Sequence, residues 1–190
     1  MKSIQDKVEI LFHETLSTQL KDRILPFRII AAFSGGPDST ALLFLLKRFQ
    51  KDFGYDLEAA YVNHGIRPLS ETSIEDNSVK KLTLDLQIPL HIKKLSSGLL
   101  KQYASRKHCG LEGAARLFRY RFFKKLQTLS PPGSVTALGH NRNDQEETII
   151  MRLFSGAGLD GLKGIPESRE ALIRPLIHID RDSLIQYLEF

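Results

Sequence analysis

Two apolar runs joined by Ser34-Gly35-Gly36-Pro37-Asp38-Ser39 constrain this chain more than any other stretch. The run Ile29 to Phe33 is short and β-compatible, and Ala41 to Leu46 opens a segment long enough for a helix. The residues between them therefore turn a strand into a helix. Such a turn leaves backbone N–H groups unpaired at a helix N-terminus, where the helix dipole also favours anions. Gly35 and Gly36 permit a tight turn and let an anion approach the backbone. Ser34 and Ser39 add hydroxyl groups. The competing reading is a Gly-Pro surface turn in which Ser39 only caps the helix.

The same alternation recurs along the chain. Ile4, Val8, Leu11, Phe12 and Leu16 have helical spacing within residues 3–20, and Pro26 breaks any continuation. Arg28 to Phe33 reads as a central strand, followed by a helix from Asp38 to about Lys51 with Leu42, Leu43, Leu46 and Phe49 inward. Leu57 to Val62 is a second strand leading into Asn63-His64-Gly65-Ile66-Arg67-Pro68, and a helix over 71–86 follows. A third strand is expected over Ile88 to Ile92, a helix over Leu111 to Leu126, a fourth strand over Ser134 to Leu138 and a helix to about Phe154. On that last helix Ile149, Ile150, Leu153 and Phe154 are expected to supply the buried side. A glycine-rich loop over 155–166, a short strand at Leu172 to Ile173 and a helix over 181–189 complete the chain. Repeated strand–helix units argue for an α/β fold, a parallel-sheet three-layer sandwich with Rossmann-like units. Polar loops after the first, second and fourth strands then lie at one sheet edge, where such folds bind ligands.

Composition narrows the setting. The chain of 190 residues carries 27 Lys plus Arg against 22 Asp plus Glu, a net charge of +5 that is compatible with a nucleic-acid partner without requiring one. The single cysteine, Cys109, rules out an internal disulfide or a multi-cysteine metal site made by this chain and fits a reducing compartment. No apolar run approaches the ~20 residues of a membrane span, and the charged N-terminus does not read as a secretory signal. A soluble cytoplasmic protein with no membrane partner is expected. Lys93 to Lys125 is the most basic segment, with Glu112 its one acidic residue, and reads either as a phosphate-binding face with Tyr103 and Tyr120 for stacking or as a solvated basic face. Glu112 and Arg116 lie four apart and can pair on one helix face. Asp144, Glu147 and Thr148 share a face near a helix start, where they can serve Mg²⁺, its water shell or the helix dipole.

The glycine turn has no lysine after its glycines, unlike a nucleotide-hydrolysing P-loop, and lacks dinucleotide GxGxxG spacing. A turn of Ser34–Ser39 type suits a pyrophosphate leaving group. Ser34-Gly35-Gly36-Pro37-Asp38-Ser39 resembles the SGGxDS pyrophosphate loop of N-type ATP pyrophosphatases, the adenine nucleotide alpha hydrolase-like fold. Val62-Asn63-His64-Gly65-Ile66-Arg67 resembles an element of tRNA(Ile)-lysidine synthetases, as do Glu112-Gly113-Ala114-Ala115-Arg116 with Arg119-Tyr120, and Gly139-His140 with Asp144-Gln145 and Glu147-Thr148. Gly158-Leu159, Gly161-Leu162 and Arg174-Pro175-Leu176 resemble the same family's later motifs.

The resemblance implies a carbon–nitrogen ligase. ATP adenylates the C2 oxygen of the wobble cytidine of a CAU-anticodon tRNA(Ile), releasing pyrophosphate, and L-lysine then displaces AMP to give lysidine. It implies that Ser34, Gly35, Gly36, Pro37, Asp38 and Ser39 bind the pyrophosphate of ATP, with Asp38 on Mg²⁺, and that His64, Arg67, Glu112, Arg116, His140 and Asp144 surround the reacting groups. The expected organisation is an N-terminal helix packed on the domain (1–24), an ATP-binding catalytic domain (25–178) and the start of a C-terminal helix (179–190) whose abrupt end is compatible with truncation. A homodimer is compatible with this plan. Two positions depart from the family pattern: Asn141 where a second histidine is common, and Asn143 where the first of paired aspartates stands. An amide brings no negative charge. The alternatives are a related tRNA thiolase, disfavoured by the lone Cys109, and a degenerate nonenzymatic nucleotide- or RNA-binding protein.

Overall fold

The computed structural model describes residues 3–66, 69–156, 158 and 161–189. The first unit is built as its sequence dictates. Strand β1 (Arg28–Ala32) buries both faces: Ile29, Ala31 and Phe33 enter one apolar cluster, and Ile30 enters another with Ala32 packed against it. Helix α2 (Pro37–Phe53) starts with Pro37 in its first turn, where a missing N–H is harmless, and ends at Gly54, whose left-handed φ of 71° lets its N–H reach the Gln50 carbonyl. Leu42, Leu43, Leu45 and Leu46 of α2 are fully buried, each contributing roughly 1.5–3 kcal/mol of transfer free energy.

The later elements are β2 (Asp56–Asn63), α3 (Leu69–Asp85), β3 (Leu90–Lys94), α4 (Leu99–Lys107), α5 (Leu111–Thr128), β4 (Val135–Ala137), α6 (Arg142–Phe154), β5 (Ser168–Arg169), β6 (Leu172–Ile173) and α7 (Arg181–Leu188), with α1 (Ile4–Leu20) preceding β1. The strands form one six-stranded sheet in the order β3-β2-β1-β4-β6-β5, parallel except for β5. Ile29 stands beside Leu57 on one side and Val135 on the other. The chain runs outward from β1 to β3, then returns to the opposite side of β1 as β4. The order therefore reverses between β1 and β4, which makes that boundary the switch point of the sheet. The residues of α1, α2 and α7 join one face of the sheet in the main apolar cluster, together with Val79 of α3. Helix α5 covers the other face through Phe123 and Leu126, and α4 packs on α5. The sheet thus lies between two helical layers, the architecture read from the sequence.

Several local expectations are corrected. β3 begins at Leu90 rather than Ile88, because Ile88 donates its N–H to the Thr83 carbonyl and Gln87 takes a positive φ to end α3. The basic segment contains a separate helix, α4, closed by His108 in the left-handed region. Strand β5, which no sequence signal marks, pairs antiparallel with β6. On α1, Val8, Phe12 and Leu16 are buried, but Ile4 and Leu11 are exposed. The largest correction concerns α6, which buries none of its residues: Ile150, Met151, Leu153 and Phe154 are 53, 70, 60 and 86% exposed. Polar anchors hold this helix instead. The Gln145 side chain exchanges hydrogen bonds with the Ile165 backbone, and Arg152 Nη1 donates to the Gly164 carbonyl at 2.8 Å.

Candidate functional site

The turn from β1 into α2 is held by its two serines. Ser39 Oγ accepts from the Ser34 N–H at 3.2 Å and donates to the Gly36 carbonyl at 2.9 Å, and the two hydroxyl oxygens lie 3.1 Å apart. Gly35 has φ 83°, a conformation that a side chain would strain. Gly36 is the N-cap of α2 and supplies no side-chain cap. The first-turn amides of Asp38 and Ser39 consequently point out of the helix with no intrahelical acceptor, the arrangement that receives an anion.

This turn opens onto a cleft of about 630 Å³ at the switch point. Its floor is the carboxyl end of β1 and β2. Ser34, Asp38 and Ser39 form one wall, His64, Gly65 and Ile66 after β2 form another, and Gly139 and His140 after β4 form a third. Arg116, Arg119 and Tyr120 of α5 form the remaining side.

The cleft is cationic, and several of its polar atoms are buried. Arg116 stacks its guanidinium over the Tyr120 ring at 4.9 Å. The Arg119 Nε and the His64 Nδ1 are buried with no protein partner, and both residues line the cleft. Burial, then the charge of Arg119, lowers the His64 pKa from its ordinary value. His140 is pushed down to about 4, by burial first and next by Arg174, with Asp144 opposing. Arg174, only 4% exposed, donates its Nε–H to His140 Nδ1 at 3.1 Å and its Nη1 to the Pro166 carbonyl at 2.6 Å. His140 therefore accepts at Nδ1 and carries its proton on Nε2.

A second charged cluster flanks the turn. Arg181 of α7 places Nε 3.4 Å from Asp38 Oδ2 and Nη2 3.2 Å from Asp144 Oδ1. The other oxygen of Asp38, Oδ1, is buried without a partner. Asp144 also accepts the Asn141 N–H while Asn141 Oδ1 accepts the Asp144 N–H, a reciprocal cap for α6. Asn143 Oδ1 accepts the Arg181 N–H at 2.9 Å. Both asparagines that depart from the family pattern thus have structural work here, one capping α6 and one tying α6 to α7.

Of the residues singled out from sequence, Ser34, Asp38, Ser39, His64, Arg116 and His140 converge on the cleft. Gly35, Gly36 and Pro37 shape the turn behind it. Asp144 sits beside Asp38 but is bound into the α6 cap and Arg181. Glu112 is exposed at the first turn of α5 and forms no ion pair with Arg116. Arg67 lies outside the described residues. Arg119 and Arg174 belong to sequence motifs that assign them no place in the site, and Arg181 belongs to none. The one available signal for Arg174 was its place in the Arg174-Pro175-Leu176 motif. Among the described residues no three of His, Cys, Asp and Glu gather to hold a metal ion. Asp38 Oδ1 fits the single carboxylate that Mg²⁺ takes when nucleotide phosphates supply its other oxygens.

A helix start with open amides, facing a basic cleft where a parallel sheet reverses its order, defines an α/β phosphate-binding domain. The chain belongs to the PP-loop domain family, whose profile matches residues 6–190. It is similar to the tRNA(Ile)-lysidine synthase of Clostridioides difficile, 36% identical over 183 residues, which covers 95% of this chain and 38% of that protein. The corresponding synthase of Clostridium acetobutylicum is 40% identical over 164 residues, 85% of this chain and 34% of that one. The chain spans little more than a third of the length of these relatives. Among solved structures, a U34-tRNA thiolase from Methanococcus maripaludis shares the fold with a TM-score of 0.76 at 19% identity, covering 98% of this chain and 63% of that one.

Proposed function

We propose that this chain is the catalytic part of a tRNA(Ile)-lysidine synthetase, with 25–178 as its ATP-binding unit and α1 and α7 flanking it. The observation that carries the reading is the meeting of the 34–39 turn with His64, Arg116 and His140 in one cleft. ATP lies with its β- and γ-phosphates on the open amides and hydroxyls of the turn. Asp38, through its unpartnered Oδ1, would hold Mg²⁺, which would supply positive charge against the leaving pyrophosphate.

The C2 oxygen of the wobble cytidine attacks the α-phosphate, and the P–O bond to pyrophosphate breaks. Arg116 and Arg119 stabilise the charge that develops there. The Nε2–H of His140 is available as a neutral donor, because Arg174 occupies Nδ1. The neutral amine of L-lysine then attacks C2, and AMP leaves with the former C2 oxygen. The cytidine must leave its stack to enter the cleft, which costs least in a single-stranded anticodon loop. The substrates are thus ATP, L-lysine and tRNA(Ile) with a CAU anticodon, and a homodimer is compatible with the exposed α6 face. Within this chain the lone Cys109 disfavours a thiolase that depends on paired cysteines.

The test is incubation of the chain with ATP, labelled lysine and a CAU tRNA(Ile) transcript. Label at the wobble cytidine supports the reading. An unchanged wobble base together with modification of another tRNA would contradict it.

A further inference from the structure

Behind the wall of the cleft that carries His64 lies a buried polar cluster that meets the cleft at Asn63 and continues away from it through Asp76 and Lys94. Asn63, the last residue of β2, is 9% exposed. Its Nδ2 donates to Asp76 Oδ1 at 2.9 Å, and its Oδ1 accepts the Gly65 N–H at 3.0 Å. One side chain thus joins helix α3 to the turn that contains His64.

Asp76 is 4% exposed. Its other oxygen receives Lys94 Nζ at 2.6 Å, and the Tyr61 side chain also bonds to it. A carboxylate buried this deeply costs several kcal/mol unless it is paired. Burial alone would raise its pKa, but the bonds from Lys94 and Asn63 outweigh burial and bring it below the ordinary value. Asp76 is therefore a fixed anion, and Asn63 is what it fixes. The turn has one further hydrogen bond and one close backbone approach. The Leu95 N–H donates to the Asn63 carbonyl at 2.9 Å, and a Cβ on Gly65 would meet the Leu95 oxygen at 2.5 Å. His64 is the residue between these anchors, and its Nδ1 is buried with no protein partner beside the cleft.

We propose that Asp76 is a positioning residue: through Asn63 it clamps the 63–65 turn and so sets the place of the His64 imidazole in the cleft. The proposal rests on the reading of the cleft given above. It differs from a plain Asp76–Lys94 ion pair, which would stabilise α3 against β3 without regard to the turn.

The test combines Asp76→Ala, Asn63→Asp, the exchanged pair Asn63→Asp with Asp76→Asn, and Lys94→Met. One readout is hydrogen exchange at the Gly65 amide without substrate; the other is tRNA-dependent pyrophosphate release. In Asp76→Ala, Gly65 exchange should quicken about tenfold, the loss of roughly one buried hydrogen bond, while β1 amides stay protected. The kcat should fall on the order of 10–100-fold through misplacement, with the KM for ATP changed by less than about threefold. Asn63→Asp should behave alike, because two carboxylates then face each other. The exchanged pair restores one donor and one acceptor and should recover both readouts, even if Asp76→Ala fails to fold. Lys94→Met should leave Gly65 protected, because Asp76 Oδ1 accepts from Asn63 whether its carboxyl is ionised or protonated at Oδ2. The clamp is overturned if Gly65 exchange is unchanged in a folded Asp76→Ala protein, if the exchanged pair is no better than Asn63→Asp, or if Lys94→Met matches Asp76→Ala. Full turnover by His64→Ala would instead overturn the reading of the cleft and with it the catalytic purpose of the clamp, while Gly65 exchange would still judge the clamp itself.

Discussion

Acid should destabilise this protein through His140, and the size of the effect follows from its surroundings. The neutral ring accepts the Arg174 Nε–H at Nδ1. Protonation would set one N–H against another and place an imidazolium beside a guanidinium in a half-buried cleft. Folding thus lowers the His140 pKa from 6.5 to about 4. The sign follows directly. Above the ordinary value both folded and unfolded chains carry a neutral ring, and the stabilisation is complete. Between the two values the unfolded chain takes a proton that the folded chain refuses, so stability falls as pH falls. At ~1.4 kcal/mol per pH unit the full loss across this window is about 3 kcal/mol. His140→Gln offers an uncharged acceptor to Arg174 and cannot titrate. Urea unfolding from about pH 8 to 4 should show the parent losing roughly 2–3 kcal/mol more than His140→Gln, with the His64 contribution common to both. The ring's NMR titration gives the site directly. A His140 that titrates at or above 6.5, or equal acid slopes in the two proteins, would refute the argument.

Other outcomes follow from single contacts. Gly65→Ala should cost about 1–3 kcal/mol in unfolding experiments, since φ 61° and the Leu95 oxygen both oppose a Cβ. Arg174→Met strips His140 Nδ1 and the Pro166 carbonyl of their donor, which should cost at least about 2 kcal/mol and move the His140 titration back toward its ordinary value. Leu46→Ala in the fully buried core of α2 should cost about 2–5 kcal/mol by calorimetry, and a loss below 1 kcal/mol would contradict its packing. Asp38→Ala should abolish ATP-dependent adenylation, and normal turnover in that protein would contradict the Mg²⁺ role assigned to it.

The central unit was legible because local signals agreed there: a β-compatible apolar run, two glycines and a helix with leucines on one side. The shared sheet edge of the loops after the first, second and fourth strands followed from the repeated strand–helix order, whereas the reversal between β1 and β4 is a matter of strand pairing. Legibility failed where neighbours decide the outcome. Helix α4 was hidden because Lys101, Arg106 and Lys107 made its residues read as a charge run, although Leu100 and Ala104 are the buried side. The register of β3 depended on how α3 ends at Gln87, a capping detail that propensity does not carry. On α6 the pattern of Ile150, Leu153 and Phe154 predicted burial, yet the helix is held by Asn141, Gln145 and Arg152. The cleft residues were named through motifs, but their coupling was not. That Arg174 sets the tautomer of His140, that Arg181 sits between Asp38 and Asp144, and that Asp76 reaches the His64 turn through Asn63 are contacts across 34, 143 and 13 positions of sequence, which no spacing rule supplies.

The most direct test of the account follows the phosphates of ATP when the chain meets a CAU tRNA(Ile) transcript. With γ-labelled ATP, the account predicts that label leaves as pyrophosphate, only when the RNA is present, and that α-labelled ATP transiently marks the RNA before lysine is added. Release of label as orthophosphate with ADP, or pyrophosphate release that ignores the RNA, would contradict it.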